Sequence, residues 1–208
     1  MVRTRVRARS PEEQEKVRRR FIDCARKVFS ETGAHGLTMR RLATEAGYSP
    51  GTIYLYFPSR RDLLREVWKE DFVALRDRFA AAAAAGDRPV DRVRALCRAW
   101  AEFWFEQPDH FKAMFLEVER QYVTERAAFA EDESVRDLHQ LFVTHTSAAV
   151  EAGELVQTDP VLLTHSLLAA IHGVVALHIG SSGFPWSERA AMVDTVVTAM
   201  LRGLAPTA

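Results

Sequence analysis

Cysteine is scarce in this sequence of 208 residues and occurs only at Cys24 and Cys97. The two cysteines are far apart and form no CxxC pair, which argues against a disulfide framework and against a thiolate zinc site. Long apolar runs are also missing, since no segment approaches the roughly 18 to 20 uninterrupted apolar residues that cross a membrane. The N-terminus carries arginines with no apolar segment after them, unlike a secretory signal. These absences predict a cytoplasmic protein that does not span a membrane.

The signatures of common enzymes are missing too. The sequence contains no GxSxG, no HExxH, no phosphate-cradling glycine loop and no dinucleotide fingerprint. We therefore predict neither catalytic residues nor a cofactor. An enzyme built within a helical bundle stays open as an alternative, and it would need a nucleophile with its base, or a carboxylate pair, in a pocket.

Net charge is absent, because 28 Lys and Arg balance 28 Asp and Glu. The balance hides a division along the chain. Residues 1–61 hold 14 basic and 6 acidic residues, whereas residues 62–208 hold 14 basic and 22 acidic ones. A basic region beside an acidic one predicts that the first part binds nucleic acid and that phosphates repel the second. A charge-patterned soluble surface is the alternative.

Alternation of the kind that marks strands is missing as well, and apolar residues recur with helical spacing. We predict an all-α protein with a basic disordered arm (1–9), a three-helix helix-turn-helix domain (10–60) and a larger helical bundle (61–208). The first four helices are predicted from their caps and stops, which are Ser10 with Glu13, Gly33 and Gly36, Thr38, Gly47, Ser49 with Pro50, Pro58 and Ser59. Later helical patterns cover about 89–106, 108–119, 125–153, 159–180 and 187–204.

Two short helices joined by a turn with Gly47 outline a helix-turn-helix, whose second helix follows Ser49. At about 100° per residue, Ile53 and Phe57 share the face that should meet the domain core. Gly51 and Leu55 share the opposite face. In a major groove, Gly51 would allow close approach to the bases and Leu55 would meet a thymine methyl.

The remaining DNA contacts are predicted from side-chain chemistry. Arg40 is predicted to read guanine, and Arg41 to contact the backbone. Arg60 lies in the first turn of the next helix, where backbone N–H groups favour a phosphate. The other residues predicted to touch DNA, mostly through hydroxyl groups, are Thr38, Ser49, Thr52, Tyr54 and Tyr56. Arginines of the arm, at positions 3, 5, 7 and 9, would enter a minor groove or add only non-specific attraction.

The segment GLTMRRLATEAGYSPGTIYLYFPSRRDLL (36–64) resembles the N-terminal domain of the tetracycline-repressor (TetR) family. The resemblance covers roughly residues 11 to 65 and departs from the family pattern at Tyr48, where valine is usual, and at Arg60, where lysine is usual. It implies a homodimer that binds palindromic DNA and represses transcription until a small molecule releases it. By the same resemblance, Arg40 matches a base-reading position, and phosphate-contacting positions are matched by Thr38, Thr52, Tyr54, Tyr56 and Arg60.

A second resemblance lies in residues 167–180, LLAAIHGVVALHIG. This segment is similar to that of a TetR subfamily with a Trp-His-Gly signature, although Ile171 replaces the tryptophan. An activator with the same DNA-binding domain stays open as an alternative to a repressor.

Aromatic residues are concentrated in the second half of the chain. A helical bundle of this size suits a cavity for an apolar effector, although each of these side chains could equally be core packing. The residues predicted to line the cavity are Trp100, Phe103, Trp104, Phe115, Phe142, His145 and His172.

The histidines do not form an obvious metal site. His165 and His172 share a helix face, but at a separation of seven residues they lie about 10 Å apart, too far to hold one ion. The set that also contains His139, His145 and His178 has no HxxxH or HxxxD pair. We predict no metal, and a metal-sensing regulator stays as an alternative.

The last two helical patterns, about 159–180 and 187–204, carry few charges and are too apolar for solvated helices. We predict that they form a four-helix interface with a second copy of the chain. A monomer that buries them internally is the alternative. A two-fold dimer would let paired recognition helices read major grooves about 34 Å apart.

Overall fold

The computed structural model describes residues 10–33, 36–116 and 132–206, without the side chains of Ser30, Arg61 and Ala113. Within these ranges all regular structure is helical, which confirms the predicted all-α class. The chain divides into two compact units, an N-terminal unit Met1–Trp68 and a C-terminal unit Lys69–Ala208. The predicted arm at residues 1–9 lies outside the described residues.

The first helix, α1 (Pro11–Thr32), begins at the predicted capping box. The Glu13 N–H donates to Ser10 Oγ at 3.2 Å, and the Ser10 N–H donates back to the Glu13 carboxylate at 2.9 Å. These two bonds satisfy backbone donors that a helix start would otherwise leave unpaired. The helix ends at Gly33, as predicted.

Helix α2 (Met39–Glu45) begins at Thr38, whose hydroxyl accepts from the Arg41 N–H at 3.2 Å. The turn after it contains Gly47 at φ 80°, the left-handed conformation that glycine adopts most readily. Both features confirm the predicted ends of this helix.

Helix α3 (Pro50–Ile53) is shorter than the predicted helix, which extended to Phe57. Beyond Ile53 the backbone tightens, because Leu55 N–H donates to Thr52 O and Tyr56 N–H donates to Ile53 O across three residues. Such tight turns replace α-helical geometry at helix ends. The helix starts where predicted, but the Ser49 side chain makes no capping hydrogen bond to the backbone.

Helix α4 (Arg60–Ala84) begins directly after its predicted cap, Ser59. It continues past Trp68 into the C-terminal unit. The Asp62 N–H donates to Ser59 Oγ at 3.2 Å, and Ser59 N–H donates to the Asp62 carboxylate at 3.1 Å. A second capping box therefore fixes the start of the helix that the two units share.

The C-terminal unit is a bundle of helices α5 (Pro89–Glu106), α6 (Pro108–Phe111), α7 (Glu133–Glu151), α8 (Pro160–Gly180) and α9 (Arg189–Gly203). A π-helical segment, Lys112–Leu116, continues from α6. The helix predicted over 108–119 is thus an α-helical turn followed by a π-helical turn as far as residue 116. Residues 117–131, which include parts of two predicted helices, lie outside the described ranges.

Helix α5 is central in this bundle and packs against α7, α8 and α9. Its Cys97 is fully buried, and burial raises the pKa of the thiol to about 12, as expected for a core cysteine. Of the described helices, α8 alone is long and apolar enough to cross a membrane by length and composition. A core helix passes the same test, and α8 buries its Leu167, Ile171 and Val175 in the bundle.

Candidate functional sites: a DNA-binding surface and an aromatic cluster

The segment from α3 to Phe57 is anchored by two buried side chains. Ile53 and Phe57 are 0% and 1% exposed, which confirms the face predicted to meet the core. The Phe21 ring of α1 lies 6.4 Å from the Phe57 ring and 5.7 Å from the Tyr56 ring. Aromatic pairs at this separation stabilise packing beyond the area that they bury. The residues that follow α3 are therefore anchored on α1, while α3 itself packs against α2.

The opposite face of the same segment is exposed. Leu55 is 82% exposed and Tyr54 is 53% exposed. Gly51 is also exposed, and a Cβ atom built on it would meet no atom within 4 Å. A large apolar side chain and an aromatic one stand beside a glycine on a surface that nothing in the described residues covers. This arrangement suits contact with a partner.

Ser49 and Thr52 form a hydroxyl pair beside this face. Their oxygen atoms lie 2.8 Å apart, a hydrogen-bond distance in which either group can donate. Each hydroxyl keeps further capacity for an acceptor or a donor. While the two hydroxyls are linked, one O–H is used within the pair and the other can be donated to a phosphate oxygen.

Arg40 and Arg41 are neighbours in α2 with different surroundings. Arg40 is exposed, and within the described ranges its guanidinium has no hydrogen bond or ion pair. The Arg41 guanidinium donates to the Glu45 carboxylate at 2.8 Å, to Thr32 Oγ1 at 3.3 Å and to the Gly36 carbonyl at 3.4 Å. The phosphate contact predicted for Arg41 would compete with these three bonds.

Arg60 lies where predicted, in the first turn of α4, and is half-buried. The neighbouring Asp62 carboxylate belongs to the Ser59 capping box, so a negative charge already stands at this helix start. A phosphate held here must be attracted by the guanidinium rather than by free backbone N–H groups alone.

Arg18 is a residue of this unit that the sequence reasoning missed. Its guanidinium lies 5.4 Å from the centre of the Phe57 ring and binds the Glu66 carboxylate at 2.9 Å. The same side chain thus links α1 to the segment that follows α3 and to α4. Its position three residues before the buried Phe21, on the same helix face, was the available signal.

In the C-terminal unit five of the seven predicted effector-site residues meet in one aromatic cluster. This cluster consists of Trp100, Phe103, Trp104, Phe115 and His172, together with Phe111. The Trp104 ring lies 5.8 Å from Trp100, 5.0 Å from Phe103 and 5.4 Å from Phe115. The His172 ring lies 4.8 Å from Phe115 and 4.9 Å from Phe111. Phe111 was absent from the predicted cavity residues.

The other two predicted residues make different contacts. The Phe142 ring packs on Phe79 at 5.8 Å. His145 is half-buried, and desolvation, with a smaller contribution from Arg92, lowers its pKa. Among the described ring contacts, none joins either residue to the aromatic cluster.

Two polar atoms inside the aromatic cluster lack partners. The indole N–H groups of Trp100 and Trp104 are buried, and neither has a hydrogen-bond partner in the described part of the chain. Buried donors are normally paired, and leaving one unpaired is costly. The cluster therefore offers two donors to an acceptor from outside.

The histidines form one close pair that the sequence reasoning did not find. His139 Nε2 of α7 lies 3.0 Å from His165 Nε2 of α8, and the ring centres are 5.1 Å apart. His172, the partner considered for His165, belongs to the aromatic cluster. Among the described residues no group of three or more His, Cys, Asp or Glu side chains could hold a metal ion.

Comparisons with known proteins agree with both units. Residues 21–67 match the family described as "Bacterial regulatory proteins, tetR family", and residues 93–204 match "Tetracyclin repressor-like, C-terminal domain". The second match alone covers more than half of the chain. The first covers α3 and most of the segments that surround it.

Individual relatives are similar over shorter stretches. The fatty acid metabolism regulator protein of Bacillus subtilis is 42% identical over 50 residues, which are 24% of this chain and 26% of that protein. The transcriptional repressor KstR of Mycolicibacterium smegmatis is 33% identical over 82 residues, 39% of this chain and 40% of that one. The chain thus spans less than half the length of these relatives.

A solved structure matches over nearly the whole length. FadR of Thermus thermophilus, a TetR-family repressor in complex with lauroyl-CoA, has a TM-score of 0.71 and 22% identity, with 92% of this chain and 97% of that chain covered. At this identity the likeness shows the fold. The two family matches establish that the protein belongs to the TetR family of bacterial regulatory proteins.

Proposed function

We propose that the protein is a ligand-responsive transcriptional repressor of the cytoplasm, which binds palindromic DNA as a homodimer and is released by a small effector with an apolar part. The supporting observation is the two-sided α3 segment. Its Ile53 and Phe57 are buried, whereas Gly51 and Leu55 face outward. The mechanism is a change of DNA affinity and involves no covalent chemistry.

Base contacts come from α3 and from Arg40. Gly51 has no neighbour near its missing Cβ, so a base pair can approach the backbone there. Leu55 supplies an apolar surface to a thymine methyl, and Arg40 donates two hydrogen bonds to guanine. The Arg40 guanidinium has no hydrogen bond or ion pair with the described residues, which supports this role because the side chain can reach a base without breaking such a bond.

Phosphate contacts flank these base contacts. The linked pair of Ser49 and Thr52 can donate one hydrogen bond to a phosphate. The hydroxyls of Tyr54, Tyr56 and Thr38 can each donate another, and Arg60 adds a charge-assisted one. The surplus of basic over acidic residues in 1–61 favours this surface over the rest of the protein for DNA. Arg41 is better suited to positioning α2 against the end of α1 than to holding a phosphate.

The dimer interface is formed by the outer faces of α8 and α9. On α8, Leu162 and Leu177 are 57% and 42% exposed, and both lie on one helix face with Ala169 and Gly173. Such an apolar face with small residues suits close packing of a second helix. On α9 three small residues on one side are also exposed, Ala191, Thr195 and Ala199.

The effector binds in the aromatic cluster. Its rings supply an apolar surface, and the unpaired Trp100 and Trp104 N–H groups favour an effector that carries an acceptor oxygen. The π-helical segment beside the cluster supports this site, since such turns are frequent at functional sites. Helix α4 carries Arg60 at its start and packs Phe72 on Trp104 at 5.9 Å, so a shift of α4 would connect effector binding to DNA affinity.

The DNA contacts are tested by fluorescence anisotropy with a duplex that the wild-type protein selects from a random library, over a series of salt concentrations. Arg60→Ala should weaken binding to all sequences alike and flatten the salt dependence by about one counterion. Arg40→Ala should relax the preference at one base position, with a loss of about 1–3 kcal/mol on the selected duplex. Arg136→Ala, an exposed arginine of α7, is the control and should bind like wild type.

Unchanged binding in both the Arg40 and the Arg60 variants would overturn the proposed interface. The same assay tests the effector site with lauroyl-CoA as the first probe. Release of the duplex from wild type, and a weaker release from Trp104→Phe, would support an acceptor on the Trp104 N–H. Equal release from both proteins would place the effector elsewhere.

A further inference from the structure

We propose that a hydrogen bond between His110 and Asp71 couples the effector site to helix α4, which begins with Arg60. This inference rests on the repressor function proposed above and adds the contact through which its signal passes. Nδ1 of His110, in α6, lies 2.7 Å from Oδ2 of Asp71, in α4. Both side chains belong to the C-terminal unit.

The bond is directional and largely shielded from water. An ionised carboxylate can only accept a hydrogen bond, so Nδ1 of His110 carries the proton and donates it. The side chains of His110 and Asp71 are 15% and 13% exposed. A hydrogen bond to a charged acceptor is stronger than one between neutral groups, and it gains further strength where water is excluded. The bond therefore holds one point of α6 at a fixed distance from one point of α4.

Apolar contacts accompany this hydrogen bond on both helices. Phe72, which follows Asp71 in α4, packs on Trp104 with the ring centres 5.9 Å apart. Phe111, which follows His110 in α6, packs on the same Trp104 ring at 5.7 Å. Apolar packing is non-directional, whereas a short hydrogen bond weakens when its distance or angle changes. The polar pair is therefore the contact that transmits a displacement of α6 to α4.

The π-helical segment Lys112–Leu116 joins the effector site to this contact. It follows Phe111 directly and carries Phe115, and the rings of these two residues pack on each other at 4.9 Å. An effector that enters the aromatic cluster displaces one of these rings or both. Because α6 is only one turn long, the displacement also moves His110, and the hydrogen bond carries it to Asp71.

Helix α4 is continuous from Arg60 to Ala84, so Asp71 and the arginine proposed to hold a DNA phosphate belong to one element. Coupling between two binding sites is reciprocal. A bound duplex that restrains α4 should therefore restrain α6 as well. This effect can be measured before the effector is identified.

The test is hydrogen–deuterium exchange of the full chain, with and without a saturating amount of the selected duplex, read on peptides that cover residues 107–116. Two variants remove the bond, His110→Phe, which keeps a ring without a donor, and Asp71→Ala, which has no acceptor. We expect the duplex to slow exchange of these peptides in wild type, and this difference to fall by about half or more in both variants.

A purely structural role of the pair gives a different result. Loss of stability alone would speed exchange with and without the duplex alike and leave the difference between them. His110→Asn should retain most of the wild-type difference, because its side-chain amide can donate from the position of Nδ1. Circular dichroism of each variant checks that it is folded.

Arg78→Gln is the matched control. Arg78 lies about two turns after Asp71 in α4 and joins this helix to Glu106 of α5 through two hydrogen bonds of 2.8 Å at the surface. The variant weakens a polar contact of α4 with α5 rather than with α6, and it should show the wild-type difference.

Two results would overturn the coupling while the repressor function stands. One is that a bound duplex leaves exchange of residues 107–116 unchanged in wild type. The other is an undiminished difference in both His110→Phe and Asp71→Ala. A wild-type protein that selects no duplex would instead contradict the repressor function, and the coupling with it.

Discussion

At the scale of single residues, neighbours in sequence make different contacts because successive side chains of a helix project about 100° apart. The Arg40 guanidinium makes no hydrogen bond or ion pair with the described residues. The Arg41 guanidinium instead makes three hydrogen bonds, to Glu45 in its own helix, to Thr32 at the end of α1 and to Gly36 between the two helices. Ile53 is buried and Tyr54, next to it, is largely exposed. Buried anchoring residues and exposed residues thus alternate along the short segment proposed to contact DNA.

Gly51→Ala separates contact with DNA from stability of the protein. A Cβ at this position meets no protein atom within 4 Å, and alanine is no worse than glycine in a helix. We expect an unfolding midpoint equal to or slightly above that of wild type, with DNA affinity reduced by about tenfold or more because the methyl group meets the duplex. Thermal denaturation and anisotropy on the selected duplex measure the two effects. If Gly51→Ala binds DNA like wild type, α3 does not approach the bases closely.

At this scale the sequence predicts which side chains are buried better than it predicts which side chains bond to each other. Helical periodicity alone separates Ile53 and Phe57 from Gly51 and Leu55, because the angle between residues depends only on their spacing. The bonds of Arg41 to Thr32 and Gly36 depend on the path of the chain between two helices. The approach of His139 to His165 depends on how α7 packs on α8, which a one-dimensional pattern does not contain.

At the scale of elements, the start of a helix is capped either by the residue just before it or by a side chain distant in sequence. Ser10 and Ser59 each cap the helix that directly follows. At the start of helix α5 a backbone N–H is instead bonded by a side chain that is distant in sequence. The Glu154 carboxylate, just after α7, accepts from the Val90 N–H at 2.8 Å and from Arg88 Nε at 3.0 Å.

Glu154→Gln should destabilise the protein by about 1 kcal/mol at neutral pH, since it removes a charge-assisted bond. The Val90 N–H, and to a lesser extent Arg88, lower the pKa of Glu154 in the folded protein. The carboxylate therefore contributes stability above its unfolded pKa, and the contribution disappears as pH falls through the lower folded value. The difference between wild type and variant should be largest near pH 7 and vanish at strongly acidic pH.

Denaturant titrations at several pH values measure this difference. Glu151→Gln, at the end of the same helix and bonded only to Ser147 among the described residues, is the control and should show little effect. A pH-independent difference for Glu154→Gln would mean that packing, not charge, holds the start of α5.

Sequence caps predicted the starts of α1, α2 and α4 because each cap and its helix are adjacent. The length of α3 was predicted wrongly, since the turns that end it before Phe57 use the same residue types as a helix. The effector-site residues were predicted from their aromatic and polar character alone. In the fold Phe142 and His145 lie on α7, and the described ring contacts do not connect them to the other five, which lie on α5, α8 and the π-helical segment.

At the scale of the whole molecule, the protein separates its charges and its apolar faces along the chain. Basic residues prevail up to residue 61, and acidic residues prevail beyond it. The exposed apolar residues of the C-terminal unit lie mostly on α8 and on the turn before α9. Under the proposed function, DNA phosphates would attract the basic unit and repel the acidic one, and the apolar residues of α8 would be available to a second copy.

Leu177→Asp tests that surface. A carboxylate placed among apolar residues of a dimer interface cannot be solvated there, so we expect the protein to sediment as one chain rather than two at micromolar concentration. DNA affinity should fall with it, because one chain reaches one half-site only. Analytical ultracentrifugation measures the assembly.

Ala80→Asp places the same charge on an exposed position of α4 and is the control, which should remain a dimer. A Leu177→Asp protein that still sediments as two chains would exclude the outer face of α8 from the interface.

The burial of Cys97 gives the protein two thiols of unequal reactivity. Cys97 is fully buried and its thiolate is strongly disfavoured, whereas Cys24 in α1 is partly accessible, although desolvation raises its pKa as well. A maleimide dye added to the native protein would therefore label the N-terminal unit first. Cys24 therefore offers a specific attachment point in α1 of the N-terminal unit for following DNA binding by fluorescence.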